Sequence, residues 1–500
     1  MAILSKSKII AHLQCPKRLW LQIHKPDEID DSAQTKARFE AGNAVGEIAR
    51  AIYDPKGIGR MIDIRESGIQ GGIEQTKALL NERLPIFEAG FSAEGARAFA
   101  DVLVPEEVNS PAGWHMVEVK SSTSVKDYHV QDIAIQALVA SSSGLNLTCV
   151  ALAHIDSSWT YPGQEKYQGL LREVDLTEQA RSLGGEVHTW ISDANETASQ
   201  SVEPEVKMGG QCSDPVQCGF EKYCRRTLVQ AEFPVEWLPG ALSKGAKQYC
   251  SDPVQTDMRE IPDEHLSQTQ RLVRDSTVSG KVYFDAAGAR TALLPYPLPA
   301  YFLDFETIQF AVPIWAGTRP YDQIPFQYSL HYLDELGQLQ HKEFLDTSGG
   351  NPSRRFAEQL LIDCALDRPV YVYNAGFESA RIKELARRFN DLADSLLAIN
   401  SRMVDLLPIA RKHFYHPNQH GSWSIKHVLP AIDTRLGYEN LEGVRDGGMA
   451  QVEFLKAIDP TASKDELARI RTELLAYCGH DTYALVKLWQ FFAGRNDLRL

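Results

Sequence analysis

The chain has 500 residues, with 66 acidic against 52 basic side chains and a formal net charge of −14. This length exceeds what one hydrophobic core usually supports, so we expect two or three domains. Its 43% hydrophobic and 24% charged residues are typical of a globular protein. The acidic balance argues against a uniformly basic nucleic-acid coat, although it leaves room for a local basic groove.

The sequence lacks the marks of a membrane or exported protein. No apolar run approaches the roughly 20 residues that cross a bilayer. The polar start, MAILSKSKIIAHLQCPK, does not resemble a signal peptide. We therefore expect a cytoplasmic protein with no membrane partner. Eight cysteines in such a chain indicate metal ligands or free thiols rather than disulfides.

The first predicted helices carry a cysteine and a glutamate. Apolar residues recur at helical spacing in IIAHLQCPKRLWLQIHK, where the step from Cys15 to Pro16 predicts a helix boundary. The next segment, TKARFEAGNAVGEIARAIYD, predicts a helix with one apolar face, and this helix bears Glu47.

Two predicted strands, ARAFADVLVPE and GWHMVEVKSST, follow on either side of the turn-prone NSPAG. The first carries Asp101; Glu118 and Lys120 lie two apart on the second, so they share one face. Carboxylates beside a lysine can form a hydrolytic magnesium site in which the lysine orients water. The alternative is a solvated Glu–Lys pair. A predicted helix then places Asp132 and Gln136 on one face.

Three cysteines, Cys212, Cys218 and Cys224, recur with five residues between neighbours in GGQCSDPVQCGFEKYCRR. This spacing is typical of a soft metal centre, and Cys15 is the candidate fourth ligand. Structural zinc usually draws on closer cysteine pairs, so the spacing and the remote fourth cysteine favour an iron–sulfur cluster over the zinc alternative.

Together these features resemble the RecB-like PD-(D/E)xK nucleases that carry an iron–sulfur cluster, a group that includes the CRISPR adaptation nucleases. The resemblance covers most of residues 1–230. It departs at Gly46, where the family often has histidine, and at Ala140, where it has tyrosine. The resemblance implies a restriction-endonuclease-like fold and metal-dependent DNA cleavage. It also implies a [4Fe–4S] cluster on Cys15, Cys212, Cys218 and Cys224; catalytic Asp101, Glu118, Lys120 and Gln136; and metal ligands Glu47, Asp101 and Glu118.

The second half contains a strand with two acids. Residues 231–298 are rich in proline and glycine and predict a connector with a short helix near 266–273. In the strand AYFLDFETIQF, Asp304 and Glu306 share one face. Two acids on an otherwise apolar strand are costly unless a cation neutralises them.

Two further fragments complete this pattern. PVYVYNAGFESARIKELARRF predicts a strand, a turn and a helix that bears Glu378. The long final helix places Tyr477 and Asp481 one turn apart on one face. Four such acids can hold two divalent ions that promote phosphodiester cleavage. The alternative is a ribonuclease-H-like domain that binds nucleic acid without cutting it.

These fragments resemble the DEDD exonucleases with DnaQ-like architecture, in the tyrosine form of the third motif. The resemblance implies a 3′–5′ exonuclease, with Mg²⁺ or Mn²⁺ held by Asp304, Glu306, Glu378 and Asp481 and with Tyr477 orienting water. Glu378 replaces a more usual aspartate, so Asp405 is a reserve ligand. Lys426 is expected to meet a phosphate. The whole chain also resembles an uncharacterised bacterial family in which the two modules are fused.

We therefore expect an α/β protein with a PD-(D/E)xK iron–sulfur domain (1–230), a connector (231–298) and a ribonuclease-H-like exonuclease domain (299–500). The expected function is trimming or resecting DNA ends or single strands in repair, phage defence or CRISPR adaptation, with DNA expected over RNA. One alternative is a single-headed DNA or RNA exonuclease whose first module is a nucleic-acid binding platform. Another is an inactive zinc-bound scaffold. Trp20, Tyr128 and Trp423 are candidates for base stacking, with core packing as the alternative role.

Overall fold

The computed structural model describes residues 3–30, 33–106, 113–438 and 441–498. The chain forms two compact units. Unit 1 comprises Met1–Thr227 together with Phe310–Asp322, and unit 2 comprises Leu228–Gln309 and Gln323–Leu500. Residues 231–298, predicted as a connector, therefore lie within unit 2. The predicted turn at 109–112 lies outside the described residues.

Unit 1 is a mixed α/β unit. Its strands are β1 (Leu4–Ser5), β2 (Arg60–Met61), β3 (Ile86–Ala93), β4 (Ala96–Glu106), β5 (Gly113–Lys120), β6 (Leu147–Ile155) and β7 (Leu171–Asp175). Its helices are α1 (Lys6–Gln14), α2 (Pro16–His24), α3 (Ala33–Tyr53), α4 (Ile64–Leu79), α5 (Asp127–Ser142), α6 (Thr177–Ser182), α7 (Gly184–Ser199) and α8 (Glu221–Arg226).

The sheet of unit 1 has the order β2-β3-β4-β5-β6-β7, and β1 pairs with β4. Strands β3, β4 and β5 are antiparallel neighbours, whereas β5 and β6 run parallel, with α5 as the connection between them. Along β4 the first six residues alternate between buried and half-buried, as expected for a strand with one face on the core. The core between sheet and helices includes Ile9, Met116 and Ile133.

Unit 2 is also mixed α/β. Its strands are β8 (Tyr283–Phe284), β9 (Ala300–Ile308), β10 (Ile324–Leu333), β11 (Leu339–Leu345), β12 (Val370–Val372), β13 (Met403–Asp405) and β14 (Phe414–Tyr415). Its helices are α9 (Lys244–Lys247), α10 (Gln268–Ser279), α11 (Ala286–Leu293), α12 (Ser353–Asp363), α13 (Gly376–Arg388), α14 (Ala393–Ser401), α15 (Leu406–His413), α16 (Ile425–Ile432), α17 (Gly447–Ala457) and α18 (Lys464–Ala493).

The main sheet of unit 2 has the order β11-β10-β9-β12-β13. Strands β9, β10 and β11 are antiparallel neighbours, while β12 runs parallel to both β9 and β13. The central strand β9 is buried at every position except the half-buried Asp304. Helix α18 packs against β9 and β10. This arrangement places the long final helix beside the strand that carries the two acids.

The segment Phe310–Asp322 leaves unit 2 between β9 and β10 and forms part of unit 1. Ala311 packs with Val45, Ile155 and Leu170 in a small apolar cluster. The backbone of Tyr161 exchanges two hydrogen bonds with this segment, donating to Thr318 and accepting from Gly317. The segment therefore contributes to the core and to the backbone hydrogen bonding of unit 1.

None of the helices in the described part of the chain is both long enough and apolar enough to cross a bilayer.

Candidate functional site

Three carboxylates of unit 2 converge on one point. Asp304 and Glu306 project from the same face of β9, and Asp481 reaches them from α18. One ligand oxygen from each lies within 4.8 Å of the others. Glu306 and Asp481 are buried, yet none of the three has a lysine or arginine nitrogen within 4 Å among the described residues. Three of the four acids predicted in this half are thus brought together, with no paired lysine or arginine in the described part of the chain.

Glu378 faces the same group from the first turn of α13. It is 3% exposed, and its Oε2 has no hydrogen-bond partner among the residues that the structure describes. Its charge is one of the causes that raise the pKa of Asp304. A buried carboxylate oxygen without a donor is costly, because it has lost water and gained nothing in return. Glu378 is therefore a buried acid whose charge acts on the cluster, although it is not one of the three acids with ligand oxygens within 4.8 Å of one another.

The pKa values of this group show how strongly the charges repel. Burial, followed by the charges of Asp481, Glu378 and Glu306, holds the pKa of Asp304 well above its ordinary value. Burial and then Asp481 raise the pKa of Glu306 to about 8, and burial raises the pKa of Asp481 to about 6. Burial likewise raises the pKa of Glu378 to about 8. A bound cation would reverse these shifts.

Two tyrosines and a lysine surround Asp481. The hydroxyl of Tyr438 donates to Asp481 Oδ1. Tyr477, one turn before Asp481 on α18, also hydrogen-bonds this carboxylate and lowers its pKa. The Nζ atom of Lys426 lies 5.1 Å from the ring centre of Tyr438 and 5.8 Å from that of Tyr477. Its charge lowers the pKa of both Glu306 and Asp481. Lys426 is therefore a cation that approaches these two acids, and its Nζ donates to the carbonyl of Arg445 at 3.0 Å.

The reserve ligand Asp405 and His480, the neighbour of Asp481, both have structural partners. Both oxygens of Asp405 accept backbone N–H groups, from Asn374 and Ala375, and Oδ1 also accepts from Leu407. The reserve ligand therefore fixes the turn after β12 and the start of α15. His480 Nε2 lies 3.0 Å from the carbonyl of Leu436, to which it can donate.

The group fits a divalent cation. Mg²⁺ and Mn²⁺ prefer carboxylate oxygens, and three such oxygens lie within 4.8 Å of one another. The partnerless Oε2 of Glu378 supplies a fourth candidate ligand. Asp304, Glu306, Asp481 and Glu378 are thus the residues that would hold the metal.

The acids predicted in unit 1 also meet, around β5. Asp101 Oδ2 accepts the backbone N–H of Val119 at 2.7 Å, which joins β4 to β5. Gln136 Nε2 donates to Glu118 Oε2. Lys120 Nζ lies 2.5 Å from Glu118 Oε1 and 2.7 Å from Asp132 Oδ2. The strand and helix spacings therefore bring together Asp101, Glu118, Lys120, Asp132 and Gln136, as expected.

A second lysine, Lys6, pairs with two acids of this site. Its Nζ lies 2.8 Å from Glu118 Oε1 and 3.2 Å from Asp132. Burial raises the pKa of Glu118, but Lys120 and Lys6 outweigh it and hold that pKa far below its ordinary value. Burial and then Glu118 raise the pKa of Asp101 to about 8. The two ammonium groups thus pair with Glu118 and Asp132, whereas Asp101 has no lysine or arginine nitrogen within 4 Å among the described residues.

Glu47 and Glu88 line the same cavity as Asp101, Glu118 and Lys120. The side chain of Glu47 is 71% exposed, and its nearest cation is Arg50 at 3.9 Å. Glu88 has a positive φ of 56° on β3, and its pKa is raised by burial and by the charge of Glu118. The predicted ligand Glu47 is therefore at the cavity wall, and Glu88 adds an acid that the sequence did not reveal.

The predicted cluster ligands Cys15, Cys212, Cys218 and Cys224 line one small cavity of unit 1. Cys15 lies at the junction of α1 and α2, and the N–H of Cys218 donates to the Cys212 carbonyl at 2.8 Å. Burial raises the pKa of Cys218, and it raises the pKa of Cys224 to about 11. Lys17 and Arg18 oppose these shifts, so positive charge lies beside the thiols. Four thiols that line one cavity are candidate ligands for either a [4Fe–4S] cluster or zinc.

Several site residues escaped sequence analysis because no local signal marks them. Lys6 opens an ordinary amphipathic helix, and Tyr438 is far from Asp481 along the chain.

Two candidates for base stacking are core residues: Trp20 and Trp423 are buried, and their Nε1 atoms donate to backbone carbonyls.

Comparison with known proteins gives weak likenesses. A family model described as a domain of unknown function (DUF2779) matches residues 301–424, a span that includes Asp304, Glu306 and Glu378 but not Asp481. Uncharacterized protein MG366 of Mycoplasma genitalium is 26% identical over 219 residues, covering 39% of this chain and 33% of its own length. Its homolog in Mycoplasma pneumoniae is 28% identical over 213 residues, covering 38% and 31%. The matched part of the chain spans about a third of each relative.

Proposed function

We propose that the protein is a metal-dependent nuclease in which unit 2 cuts phosphodiester bonds. The observation that carries this proposal is the group formed by Asp304, Glu306 and Asp481, with ligand oxygens within 4.8 Å and no cationic partner among the described residues. Burying like charges together without a counter-ion is unfavourable, so such a group is expected where a cation binds. The resemblance of these motifs to DEDD exonucleases supports 3′–5′ cleavage of single-stranded DNA or duplex ends.

The side chains of unit 2 have separate roles in this proposal. Mg²⁺ or Mn²⁺ supplies the charge that activates water and stabilises the leaving oxygen. Asp304, Glu306 and Asp481 hold the ion, together with Glu378. Tyr438 fixes the orientation of Asp481 by its hydrogen bond. Lys426 approaches the group without pairing with it, which suits contact with the substrate phosphate.

Unit 1 has two candidate roles. Its motif order supports a second nuclease head with Asp101, Glu118 and Lys120 at its centre. The pairing of Lys6 and Lys120 with Glu118 and Asp132 supports the alternative role of a nucleic-acid binding platform, because carboxylates already paired with lysines have less need of a metal. We propose in either case that the four converging cysteines hold a [4Fe–4S] cluster, which would tie α1 and α2 to the end of unit 1.

The test uses anaerobically purified protein, Mn²⁺, and single-stranded DNA or RNA labelled at either end. Wild type is compared with Asp304→Ala, Lys120→Ala and the double variant. Exposed residues provide matched controls: Asp394→Ala in unit 2 and Lys56→Ala in unit 1. If unit 2 cuts, Asp304→Ala removes the products shortened from the 3′ end, while both controls keep wild-type cleavage.

The same experiment decides the role of unit 1. Loss of a distinct set of products in Lys120→Ala, and of all products in the double variant, supports two heads. Loss of all cleavage in Asp304→Ala alone supports the platform. If Asp304→Ala cleaves at the wild-type rate, unit 2 is not the nuclease and the proposal is wrong.

A further inference from the structure

Unit 2 also contains a cavity of about 1080 Å³ that is not lined by any of the four acids. Much of its wall comes from residues 236–240 of the predicted connector and from residues 420–425, which lead into α16; Thr269, Asn374 and Arg411 also line it. A cavity of this size has room for a nucleotide-sized ligand. The predicted connector therefore forms part of the wall of this cavity in unit 2.

Two rings form one side of this cavity. The indole of Trp237 and the imidazole of His420 are stacked, with ring centres 3.9 Å apart and planes inclined by 5°. Trp237 is half-buried and His420 is exposed, so the pair is only partly covered. Burial, together with His427, lowers the pKa of His420, which favours the neutral ring. Because the two rings lie face to face, the outer face of one ring is available, and a nucleobase can stack on such a face and continue the stack.

The backbone is shaped to bring these rings together. His420 and Gly421 both have left-handed conformations, with φ of 44° and 73°. A Cβ at Gly421 would lie 1.7 Å from the carbonyl oxygen of Trp237, so only glycine fits at this close approach. A left-handed conformation at a residue other than glycine costs free energy and persists only where the surroundings impose it. The stacked pair is therefore a built feature of this loop.

A cation lies at the same cavity. Arg411, in the last turn of α15, is exposed and has no carboxylate within 4 Å among the residues that the structure describes. A guanidinium without a partner is well suited to a phosphate, which it can bind through two parallel hydrogen bonds. The cavity thus combines a stacking surface with a phosphate-binding group.

The cavity is also connected through the chain to the acidic group. Asn374 lines it and lies four residues before Glu378, in the turn that precedes α13. Ile425 lines it and immediately precedes Lys426, whose charge lowers the pKa of Glu306 and Asp481. Two segments thus line the cavity and continue directly into residues of the acidic group.

We propose that this cavity binds a nucleotide of the single-stranded substrate, with its base stacked on the Trp237–His420 pair and its phosphate at Arg411. This inference rests on the proposed nuclease function of unit 2, which it extends by naming a substrate-binding subsite. The connector residues then determine how the strand is held, while the acidic group determines whether it is cut.

The test measures binding separately from cleavage. Full-length Asp304→Ala protein is titrated onto a fluorescein-labelled single strand of DNA, or of RNA, and anisotropy gives Kd. Trp237→Ala is expected to weaken binding about tenfold, as the loss of one stacked base does. Arg411→Ala is expected to reduce the slope of log Kd against log salt by about 0.7, whereas Arg411→Lys keeps the slope.

Thr269→Trp provides an independent variant. Thr269 is exposed on α10 and lines the cavity. Its replacement by tryptophan therefore fills the cavity without removing a core contact. It is expected to weaken binding at an unchanged melting temperature. His24→Ala is the aromatic control, since it breaks the similar Trp20–His24 stack in unit 1, where ring centres lie 4.4 Å apart. Arg387→Ala, at an exposed arginine of α13, is the charge control.

The inference is overturned if Trp237→Ala and Thr269→Trp both bind either strand within twofold of the parent protein. It is supported if both weaken binding of DNA or RNA while the two controls do not. Failure of the nuclease proposal would be seen in the cleavage experiment instead. Wild-type protein would then cut no strand, or Asp304→Ala protein would still cut.

Discussion

The buried acids of the two units differ in how their charge is compensated. In unit 1, Glu118 is within hydrogen-bond distance of both Lys6 and Lys120. In unit 2, Asp304 and Glu306 have no such cation among the described residues, and their pKa values are raised. Breaking a buried ion pair is strongly destabilising, whereas neutralising a repelling carboxylate is not. Substitutions at the two sites should therefore have opposite effects on stability.

Replacing Asp304 with asparagine should test this contrast. In EDTA we expect Asp304→Asn to melt no lower than wild type, because the amide removes one of the repelling charges. Saturating Mn²⁺, at about 100 times Kd, should stabilise wild type by about 2.7 kcal/mol and raise its Tm by about 5 °C or more. The variant should show no such shift. Differential scanning fluorimetry with and without Mn²⁺ measures both.

Asp394→Asn is the matched control, because Asp394 is an exposed acid on α14. It should keep the full Mn²⁺ shift. An Asp304→Asn protein that is stabilised by Mn²⁺ as much as wild type would show that the ion binds elsewhere.

Tyr438 should act on metal affinity through Asp481. Its hydroxyl donates to Asp481 Oδ1, and such partners of a ligand typically change metal affinity by 10- to 100-fold. We expect Tyr438→Phe to weaken Mn²⁺ binding by about tenfold, measured as the midpoint of the Tm shift during titration with Mn²⁺. Tyr328→Phe is the control, since Tyr328 donates to Asp363 at 2.6 Å away from the acidic group. Equal affinity in both variants would contradict the positioning role.

Residue types and spacing revealed the acids but not the groups that balance or orient them. Glu118 and Lys120 share a strand face, and Asp132 and Gln136 share a helix face, so local periodicity is enough to bring each pair together. Lys6 is 112 residues from Glu118, and Tyr438 is 43 residues from Asp481. Contacts over such separations depend on the tertiary fold, which a single sequence does not encode in its local pattern.

At the scale of elements, strands with one buried face were the most predictable. ARAFADVLVPE is β4 in full, and the acidic strand is β9. The Cys15–Pro16 step separates α1 from α2, as proline at the first position of a helix allows. The position of the segment 310–322 was less predictable, because its apolar residues pack in unit 1 rather than with their sequence neighbours in unit 2.

The edge of the unit 1 sheet should show a pH-dependent stability. His115 Nε2 on β5 lies 3.2 Å from Glu173 Oε1 on β7. Burial lowers the pKa of His115, but Glu173 outweighs it, and the net pKa is raised above the ordinary 6.5. A raised histidine pKa stabilises the folded state at pH values below 6.5, and this contribution is lost as pH rises through the folded-state pKa.

We therefore expect wild type to exceed His115→Gln in unfolding free energy at pH 5.5, by less than about 1 kcal/mol because the pair is partly exposed. The difference should vanish at pH 8.5. Chemical denaturation at both pH values measures it, with His188→Gln as a control, since His188 is 52% exposed and 3.8 Å from Glu94. A difference that does not change with pH would exclude this pair as its source.

The cysteine-bearing elements should depend on their shared ligand. If Cys15, Cys212, Cys218 and Cys224 hold a [4Fe–4S] cluster, anaerobically purified protein absorbs near 400 nm and contains about four iron and four sulfide per chain. Cys218→Ser should lose both and lower the Tm of unit 1, because metal binding and folding are coupled. Cys149→Ser, at a half-buried cysteine of β6, should keep them. If the purified protein contains zinc and no sulfide, the four cysteines hold zinc rather than a cluster.

At the scale of the whole molecule, the chain crosses from one compact unit to the other more than once. It leaves unit 1 after Thr227, returns for Phe310–Asp322, and re-enters unit 2 at Gln323. The return contributes Ala311 to the apolar cluster with Leu170 and a hydrogen bond from the Tyr321 hydroxyl to the carbonyl of Ser121, the residue after Lys120. Unit 1 therefore has its full core only when the chain continues past the sequence boundary predicted near residue 230.

This dependence can be tested by replacing residues 311–321 with an Asn-Gly turn, which suits the antiparallel β9–β10 pair. We expect amide hydrogen exchange to accelerate in β6 and at the loop before β7, because the cluster loses Ala311 and Tyr161 loses two backbone hydrogen bonds. Exchange in β10 and β11 should not change. Tyr321→Phe, which removes a single hydrogen bond, should give a smaller change confined to the residues after β5. Unaltered exchange in β6 after the replacement would show that unit 1 closes its core without this segment.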